Sequence, residues 1–459
     1  YDVVQYGGGV AISDDGTLTV SAGAQIINNQ AKWGGGVTIG ECGKDNPKDR
    51  GTRSADNQGL KFTMTGGIIS GNIAEEGGGV RVDWCYIPGL FEMSGGEISG
   101  NTATVGGGVY VDTNSVATMS GGEISKNTAT TGTGVDVDCN GGGVYVCKGS
   151  TFTMSGDAAI SENTAVMRGG GVCNKGTFTM TGGKIQKNQS TNTGNKGTAD
   201  GAGIFTSGTF EMNGPSLIDA NYSERGYGGG VYVLYAASGS CTCTITGGTI
   251  SNNSSLCGGG IYVDTPDDVA MTNATIIGNT ARDGGWGGGI YVWRCGKLST
   301  MTDMLISNNV AGTGGGVAIN IGYGRLSGRP TLGSGVQVID NAAKDAGGGI
   351  VVRICNEKSR EPVVIDGCTI SGNVAGAKSD RDYSGDGGGI VTYAGTWLKI
   401  KNTQITKNGT AKMIGDVEYS PVVYGGGIDM EDSTCVEVES VTITGNEAYC
   451  GLFCLKASA

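Results

Sequence analysis

Three features of the sequence predict an all-β solenoid. A glycine triplet followed by alternating apolar residues recurs along the chain, an Ile-x-x-Asn motif recurs between the triplets, and no stretch has a helical period. Short strands repeated in this way become stable only when successive turns stack and bury one continuous core. We therefore predict a right-handed single-stranded parallel β-helix of about 14 coils, with the hand taken by analogy with other coils of this kind.

The glycine triplet is the first element of each unit. The chain has 90 glycines in 459 residues, yet only 7 prolines and no three-residue period, which excludes collagen. Because glycine permits positive φ and close backbone approach, we expect the triplet to turn the chain against the next coil. Gly201-Ala202-Gly203 is a slightly altered copy. The other triplets begin at Gly7, Gly34, Gly77, Gly106, Gly141, Gly169, Gly228, Gly258, Gly287, Gly314, Gly347, Gly387 and Gly425.

The Ile-x-x-Asn motif is the second element. The residue three positions before each asparagine is isoleucine, except for Val338. Asparagine tolerates left-handed backbone angles and its amide bonds to neighbouring backbone, so we expect it to end a strand and to stack in a ladder between coils. We expect a structural role for these residues. They are Asn29, Asn72, Asn101, Asn127, Asn163, Asn188, Asn221, Asn253, Asn279, Asn309, Asn341, Asn373, Asn408 and Asn446.

Short strands lie between these motifs. Val109 and Val111 flank Tyr110, and this period of two predicts a half-buried strand. The segment from Cys450 to Leu455 follows the last asparagine and resembles an incomplete fifteenth strand. We expect residues 1–459 to form one β-helix, and, because we recognise no polar cap at either end, to be a segment of a longer surface protein.

Composition narrows the classes of function. The formal net charge is −12 and the sequence pI is near 4.6, which disfavours a nucleic-acid partner. Histidine is absent, which removes the commonest general base and the commonest neutral metal ligand. We expect no metal and no cofactor. The chain has no long apolar run, so we do not expect this segment to span a membrane.

The repeat resembles a known family of surface proteins. A glycine-rich element alternating with an apolar-x-x-Asn element is similar to the repeats of the chlamydial polymorphic outer-membrane proteins and of adhesin-like proteins from gut bacteria and archaea. The similarity runs from Gly7 to Asn446, with isoleucine where the chlamydial repeats use phenylalanine. It implies an extracellular, secreted or surface-bound adhesin or stalk whose partners are glycans or proteins of a host or neighbouring cell.

An aromatic stripe is the candidate binding surface. Side chains midway along the strand that follows each triplet should project outward and stack at strand spacing, and aromatic faces suit sugar rings and protein partners. The alternative is that aromatic pairs only stabilise the sheet. The candidate binding residues are Phe205, Tyr232, Tyr262, Tyr291 and Trp293.

Three other functions remain open. Acidic residues such as Asp83, Asp112 and Asp264 follow the triplet strands, so a β-helix polysaccharide lyase or glycosidase is an alternative, although we find no acidic cluster that coincides with a repeated Arg or Lys. A Thr-x-Thr array resembles an ice-binding surface but is interrupted by Glu92 and Glu211. End-to-end association into a filament is the third. We favour a non-catalytic protein and predict no catalytic residue.

The 14 cysteines favour disulfides over a zinc site, because no Cys-x-x-Cys pair occurs. Cys42 and Cys85 occupy equivalent positions in consecutive units, so stacking could bring them within bonding range. Looser candidates pair Cys147 with Cys173 and Cys450 with Cys454.

Overall fold

The structure is a computed structural model of the chain. It describes residues 5–13, 16–40, 60–85, 87–130, 139–192, 199–235, 241–296, 299–321, 328–354, 361–376, 385–393, 395–414, 417–419, 424–431, 434–448 and 453–455. The chain forms two compact units, Tyr1–Leu217 (unit 1) and Ile218–Ala459 (unit 2). Each unit is a stack of parallel β-coils, and the predicted right-handed parallel β-helix is confirmed as the fold class.

One coil contains four short strands, which we number as rows 1 to 4. In a representative coil these are Val109–Val111, Val116–Met119, Glu123–Ser125 and Thr128–Ala129. Each pairs in parallel with the same row of the next coil, residue for residue. The one-residue alternation of each strand therefore gives every coil the same inward and outward positions.

Unit 1 contains the first part of each row. Row 1 comprises Val10–Ile12, Val37–Ile39, Val80–Val82, Val109–Val111, Val144–Val146, Val172–Asn174 and Ile204–Thr206. Row 2 comprises Thr17–Val20, Val116–Met119, Thr151–Met154, Thr177–Met180 and Thr209–Met212, and Lys61–Ser70 and Leu90–Ser99 run through rows 2 and 3. Row 3 also has Gln25–Ile27, Glu123–Ser125, Ala159–Ser161 and Lys184–Gln186. Row 4 comprises Thr102–Ala103, Thr128–Ala129, Thr164–Ala165 and Gln189–Ser190. Outside the four rows, Trp84–Cys85 pairs antiparallel with Ile87–Pro88. The strand Leu217–Asp219 lies at the boundary between the units.

Unit 2 repeats the arrangement. Row 1 comprises Val231–Leu234, Ile261–Asp264, Ile290–Arg294, Val317–Ile321, Ile350–Ile354, Ile390–Tyr393, Ile428–Met430 and Phe453–Leu455. Row 2 comprises Thr242–Ile245, Val269–Thr272, Thr300–Thr302, Thr331–Leu332, Val363–Asp366, Trp397–Lys401 and Cys435–Glu439. Row 3 comprises Thr249–Ser251, Thr275–Ile277, Leu305–Ser307, Gln337–Ile339, Thr369–Ser371, Gln404–Thr406 and Thr442–Thr444. Row 4 comprises Tyr222–Ser223, Ser254–Ser255, Thr280–Ala281, Val310–Thr313, Ala342–Ala346 and Val374–Ala375. The expected fifteenth strand is confirmed, because Phe453–Leu455 pairs in parallel with Ile428–Met430.

The core of each unit is a column of apolar side chains from the inward positions. In unit 1, row 2 supplies phenylalanines whose rings stack coil on coil, with centroids 5.2 Å apart for Phe152 and Phe178 and 5.5 Å apart for Phe178 and Phe210. Row 3 supplies isoleucines such as Ile160, which is fully buried. Burying each of these side chains contributes about 1.5–3 kcal/mol, so short strands gain from their neighbours the stability that they lack alone.

The predicted asparagine ladder is present in both units. The Asn101 side-chain Nδ2 donates to the Asn127 Oδ1 (2.9 Å) and to the Ile69 carbonyl (3.0 Å), and the Asn101 backbone N–H donates to the same Oδ1 (3.0 Å). In unit 2, Asn279 makes the same three bonds, to Asn309 and Ile250, at 2.9 to 3.0 Å. Both asparagines are fully buried. Their amides are therefore satisfied without water, as buried polar groups require.

The left-handed turn residue is not the ladder asparagine, contrary to our expectation. In each coil the residue with positive φ is the one immediately before it. This residue is glycine in five coils, while Lys126 (φ 56), Glu162 (φ 55) and Ala220 (φ 53) show that it need not be. One left-handed residue turns the chain from row 3 toward row 4, and the asparagine that follows can then direct its amide along the ladder.

The glycine triplet fits against the ladder. The first glycine has positive φ, such as 65° at Gly106. A Cβ on the second, Gly107, would lie 2.5 Å from the Gly142 carbonyl oxygen, and a Cβ on the third, Gly108, would lie 2.9 Å from the Asn127 Nδ2. The triplet and the Ile-x-x-Asn motif recur together because they form two sides of one packing contact.

One insertion folds as a hairpin in unit 2. Lys412–Ile414 pairs antiparallel with Val417–Tyr419. The Tyr419 side chain is 1% exposed and packs with Ala342 and Val374 of row 4. The hairpin therefore covers the outer side of row 4.

Candidate functional site

The outer side of row 1 changes its chemistry from coil to coil. Its side chains come from three positions: the residue before the glycine triplet, the middle residue of the row 1 strand, and the residue two positions later. We call this surface the row 1 face. In unit 2 the middle position is occupied in successive coils by Tyr232, Tyr262, Tyr291, Ala318, Val351, Val391 and Asp429.

The tyrosines of the predicted stripe stand in consecutive coils of unit 2. The ring centroids of Tyr232 and Tyr262 are 4.9 Å apart, and those of Tyr262 and Tyr291 are 5.0 Å apart. Their exposed fractions are only 5%, 6% and 5%. The cover comes from the residue before a triplet, because Tyr227 stacks on Tyr262 at 5.0 Å. These tyrosines are buried in the row 1 face, so they do not form the exposed aromatic binding surface that the sequence suggested.

Burial also changes the titration of this cluster. It raises the pKa of Tyr262 and of Tyr291 well above the usual range for tyrosine. The Tyr291 hydroxyl accepts a hydrogen bond from the Asn320 Nδ2 (3.1 Å). Both phenols therefore stay neutral and act as packing and hydrogen-bonding groups.

Trp293 lies at the accessible edge of this cluster. Val263 pairs with Val292 but Asp264 pairs with Arg294, so Trp293 is the extra residue of a β-bulge. Bulges redirect a side chain without breaking the sheet. The indole is half-buried, and its ring centroid lies 6.3 Å from that of Tyr291.

Arg294, the residue after Trp293, contacts both a carboxylate and an aromatic ring. The Arg294 Nε lies 2.9 Å from the Asp264 carboxylate. The Arg294 guanidinium also lies 5.2 Å from the ring centroid of Tyr235, which is 40% exposed. A carboxylate, a guanidinium held by an ion pair and an exposed aromatic ring thus meet at Arg294, the residue that follows Trp293.

Next along unit 2, the row 1 face becomes small and apolar. Ala318, Val351 and Val391 are fully buried. Trp286 and Tyr393 pack against Val351 and Val391, with ring centroids 6.5 Å apart. The exposed Arg353 pairs with Tyr393 in the strand register. We call the two packed rings, Trp286 and Tyr393, the aromatic floor of the row 1 face in unit 2.

Three carboxylates follow on the same face. Side-chain oxygens of Asp386, Asp429 and Glu431 lie within 4.8 Å of one another. Asp429 is fully buried, whereas Asp386 and Glu431 are half-buried. Burial and these negative charges raise the pKa of the neighbouring Tyr393. Carboxylate oxygens at this spacing can exchange protons or ligate a hard cation.

The sequence reasoning missed this carboxylate group. Its signal was an aspartate at the middle position of row 1, which is aromatic or aliphatic in the other coils of unit 2 described above. The three residues are brought together by the coil: Asp386 precedes one triplet, and Asp429 and Glu431 lie in the row 1 segment of the next coil. Only the coil register, and not linear spacing, reveals this proximity.

In unit 1 the row 1 face is held by ion pairs. Arg81 is 8% exposed and contacts the carboxylates of Asp83 (2.9 Å) and Asp112 (2.7 Å). It also contacts Glu76 (3.3 Å), whose pKa is raised by burial. Asp83 and Asp112, which the sequence placed only after triplet strands, are therefore members of an ion-pair cluster around Arg81. Asp264 is likewise paired, with Arg294.

Phe205 and Cys173 are also structural. The Phe205 ring is 2% exposed, and the Arg168 guanidinium lies 5.1 Å from its centroid. Cys173 forms a disulfide with Cys139, so its predicted pairing with Cys147 is wrong. The cysteine spacing did not predict this disulfide, because Cys139 lies two residues before Gly141 and only the coil brings it against Cys173 of row 1.

The other cysteine predictions fall partly outside the described residues. Cys42, the proposed partner of Cys85, lies outside them, as does Cys450. The Cys147 thiol donates to the Tyr110 hydroxyl (3.1 Å), and burial raises the pKa of this thiol to about 12. No helix among the described residues is long and apolar enough to cross a membrane.

These observations define a β-solenoid with a constant interior and a variable outer face. The chain belongs to the right-handed β-helix family, because the family model described as a right-handed β-helix region matches residues 203–405 and 260–459. Comparison with curated proteins and with solved structures found no match. Membership of this family defines the fold. The residues that bear on function are those of the row 1 face.

Proposed function

We propose that this chain is a non-catalytic extracellular surface protein that binds a glycan on the row 1 face of unit 2. The observation that carries the proposal is the β-bulge, which takes Trp293 out of the regular register just before Arg294, whose guanidinium packs on the exposed Tyr235 ring. A bulge of this kind interrupts an otherwise regular strand register and is often found at binding sites.

The chemistry around Trp293 suits a sugar ring. Indole and phenol faces pack against the apolar side of a pyranose, and Arg294 and Asp264 offer donors and acceptors for its hydroxyls. Their mutual ion pair, at 2.9 Å, fixes both groups before a ligand arrives. Such preorganisation lowers the entropy lost on binding.

Two further observations support the extracellular setting. The Cys139–Cys173 disulfide is typical of proteins that fold in an oxidising compartment. The repeat pattern also resembles that of polymorphic outer-membrane proteins and adhesin-like proteins, which implies a role in surface attachment. An adhesin or stalk combines both features.

Glycan-array screening followed by calorimetry tests the proposal. We expect Trp293→Ala to weaken binding at least about tenfold, since aromatic anchors contribute most at such sites. Trp397→Ala is the matched control, because this half-buried tryptophan lies on row 2 and its indole N–H bonds to Glu437 (3.1 Å). Equal affinity of the Trp293→Ala variant and the parent, or equal losses in both variants, would refute the assignment.

A carbohydrate-active enzyme is the second candidate, and the group of Asp386, Asp429 and Glu431 favours it. Paired carboxylates can serve as acid and base in glycoside hydrolysis. The group lies on the same face of unit 2 as the aromatic floor.

Release of reducing ends from a polysaccharide panel separates the two candidates. If unit 2 is catalytic, Glu431→Gln should abolish release, while Glu437→Gln on row 2 should leave it unchanged. Bound glycan that is never cleaved by the parent protein would leave the non-catalytic proposal and exclude the hydrolase.

A further inference from the structure

Acceptor tripeptides for N-linked glycans occur at two kinds of place in this fold. The pattern Asn-x-Ser/Thr is the acceptor motif for such glycans, and it occurs six times in the sequence. Four occurrences begin at ladder residues, all fully buried: Asn188, Asn221, Asn253 and Asn408.

In the folded chain these four amides are buried in the ladder. The Asn253 Nδ2 donates to the Asn279 Oδ1 (3.0 Å) and to the Ile218 carbonyl (3.0 Å). Both of its N–H groups are thus engaged inside the coil. A sugar on this nitrogen would break the ladder and would not fit in the core.

The other two occurrences are exposed. Asn252-Asn253-Ser254 and Asn273-Ala274-Thr275 both begin at turn residues with φ of 53°. The Asn252 Nδ2 donates to the Asp219 carboxylate (2.8 Å) at the surface, and the Asn273 side chain is exposed. Both amide nitrogens are therefore on the outside of unit 2.

We propose that Asn252 and Asn273 are N-glycan acceptors when the chain passes through an N-glycosylating secretory route. The proposal rests on the extracellular location argued above. In this transfer the asparagine Nδ2 forms a bond to C1 of the first sugar of a lipid-diphosphate-linked oligosaccharide. The C1–O bond to the diphosphate breaks, the lipid diphosphate leaves, and the amide proton passes to a base of the transferase.

The two acceptors leave the row 1 face open. Asn252 follows the row 3 strand Thr249–Ser251, and Asn273 follows the row 2 strand Val269–Thr272. Glycans at these turns would project from other sides of the coil than Trp293. They would shield the repetitive rows 2 and 3 while the proposed binding surface remains accessible.

Secretion of the full chain from a eukaryotic host, followed by enzymatic deglycosylation in heavy-oxygen water and peptide mapping, tests the proposal. We expect labelled sites at Asn252 and Asn273 and none at Asn253. Ser254→Ala should remove only the first glycan, because Ser255 keeps the motif of Asn253 intact. Thr275→Ala should remove only the second.

Two results would overturn the assignment: folded, secreted protein that carries no glycan at either site, or folded protein glycosylated at Asn253. A thermal melt of each variant distinguishes a lost acceptor from a failure to fold. Because the host imposes the secretory route, failure here has no bearing on glycan binding by Trp293, which unglycosylated protein still tests.

Discussion

Replacing one rung of the asparagine ladder tests how the coil is held together. The Asn127 side chain takes part in four hydrogen bonds: it donates to the Ile98 carbonyl and to the Asn163 Oδ1, and it accepts from the backbone and side chain of Asn101. Asn127→Ala removes all four. It also leaves the Ile98 carbonyl and the Asn101 backbone N–H buried without these bonds.

The magnitude follows from these groups. A buried polar group that loses its hydrogen bond costs about 1–3 kcal/mol. Two such groups, together with the two lost amide–amide bonds, give a destabilisation of at least about 4 kcal/mol for Asn127→Ala. Asn114→Gly is the control, because Asn114 is an exposed turn residue with φ of 61°. Glycine accepts this angle, so the control should change the free energy of unfolding by less than about 0.5 kcal/mol.

Urea unfolding followed by circular dichroism measures the free energy, and amide hydrogen exchange locates the loss. In a stacked repeat each coil contacts only its neighbours. We therefore expect lost protection at the Asn101 amide and in adjacent coils, with distant coils of unit 1 less affected. A change below about 1 kcal/mol with the Asn101 amide still protected would show that the ladder is not a principal source of stability.

Three other outcomes are expected. Gly108→Ala should destabilise the protein by about 3 kcal/mol in urea unfolding, because the new Cβ would overlap backbone and ladder atoms. Gly100→Ala is the control: its Cβ would enter open space, so it should cost only about 1 kcal/mol of left-handed strain. Replacing both Cys139 and Cys173 by alanine should lower stability by about 3–4 kcal/mol, since the bridge closes a long loop, and a melt that does not change under reducing conditions would contradict this. Burial raises the pKa of Glu76, so the folded state binds this proton more tightly, and the side chain contributes more stability below the unfolded pKa than at neutral pH. Relative to the Glu76→Gln variant, the parent protein should therefore gain stability on acidification. A stability difference that does not depend on pH would contradict this assignment.

The repeat made the interior predictable. Val109 and Val111 point into the core as the period of two required, and the ladder follows from asparagines that recur in register. Each of these features is local to one coil and is copied by stacking, so a sequence period suffices to predict it. The left-handed residue before Asn127 was assigned one position too late, because asparagine itself favours that conformation.

The outer face was less predictable because it depends on contacts between coils. Tyr262 is covered by Tyr227, which lies just before the preceding triplet, and Cys173 is bonded to Cys139, so both lie against residues that come before a triplet in the chain. The carboxylates of Asp386 and Asp429 meet only once the triplet has turned the chain. From the sequence we expected only the side chains of the row 1 strand on the outer face. Residues that precede the triplets, such as Tyr227 and Asp386, add a second layer of side chains there.

This second layer explains why recognition is best placed on row 1. On row 2 of unit 1 the outward side chains are often threonine, such as Thr153 and Thr179. On row 1 the middle position changes from Arg81 to Tyr110 between paired coils with no change of register. The interior is set by other positions, so the face can change its chemistry while neighbouring side chains hold one another rigid. A ligand site needs that rigidity, and the bulge at Trp293 supplies the accessible edge.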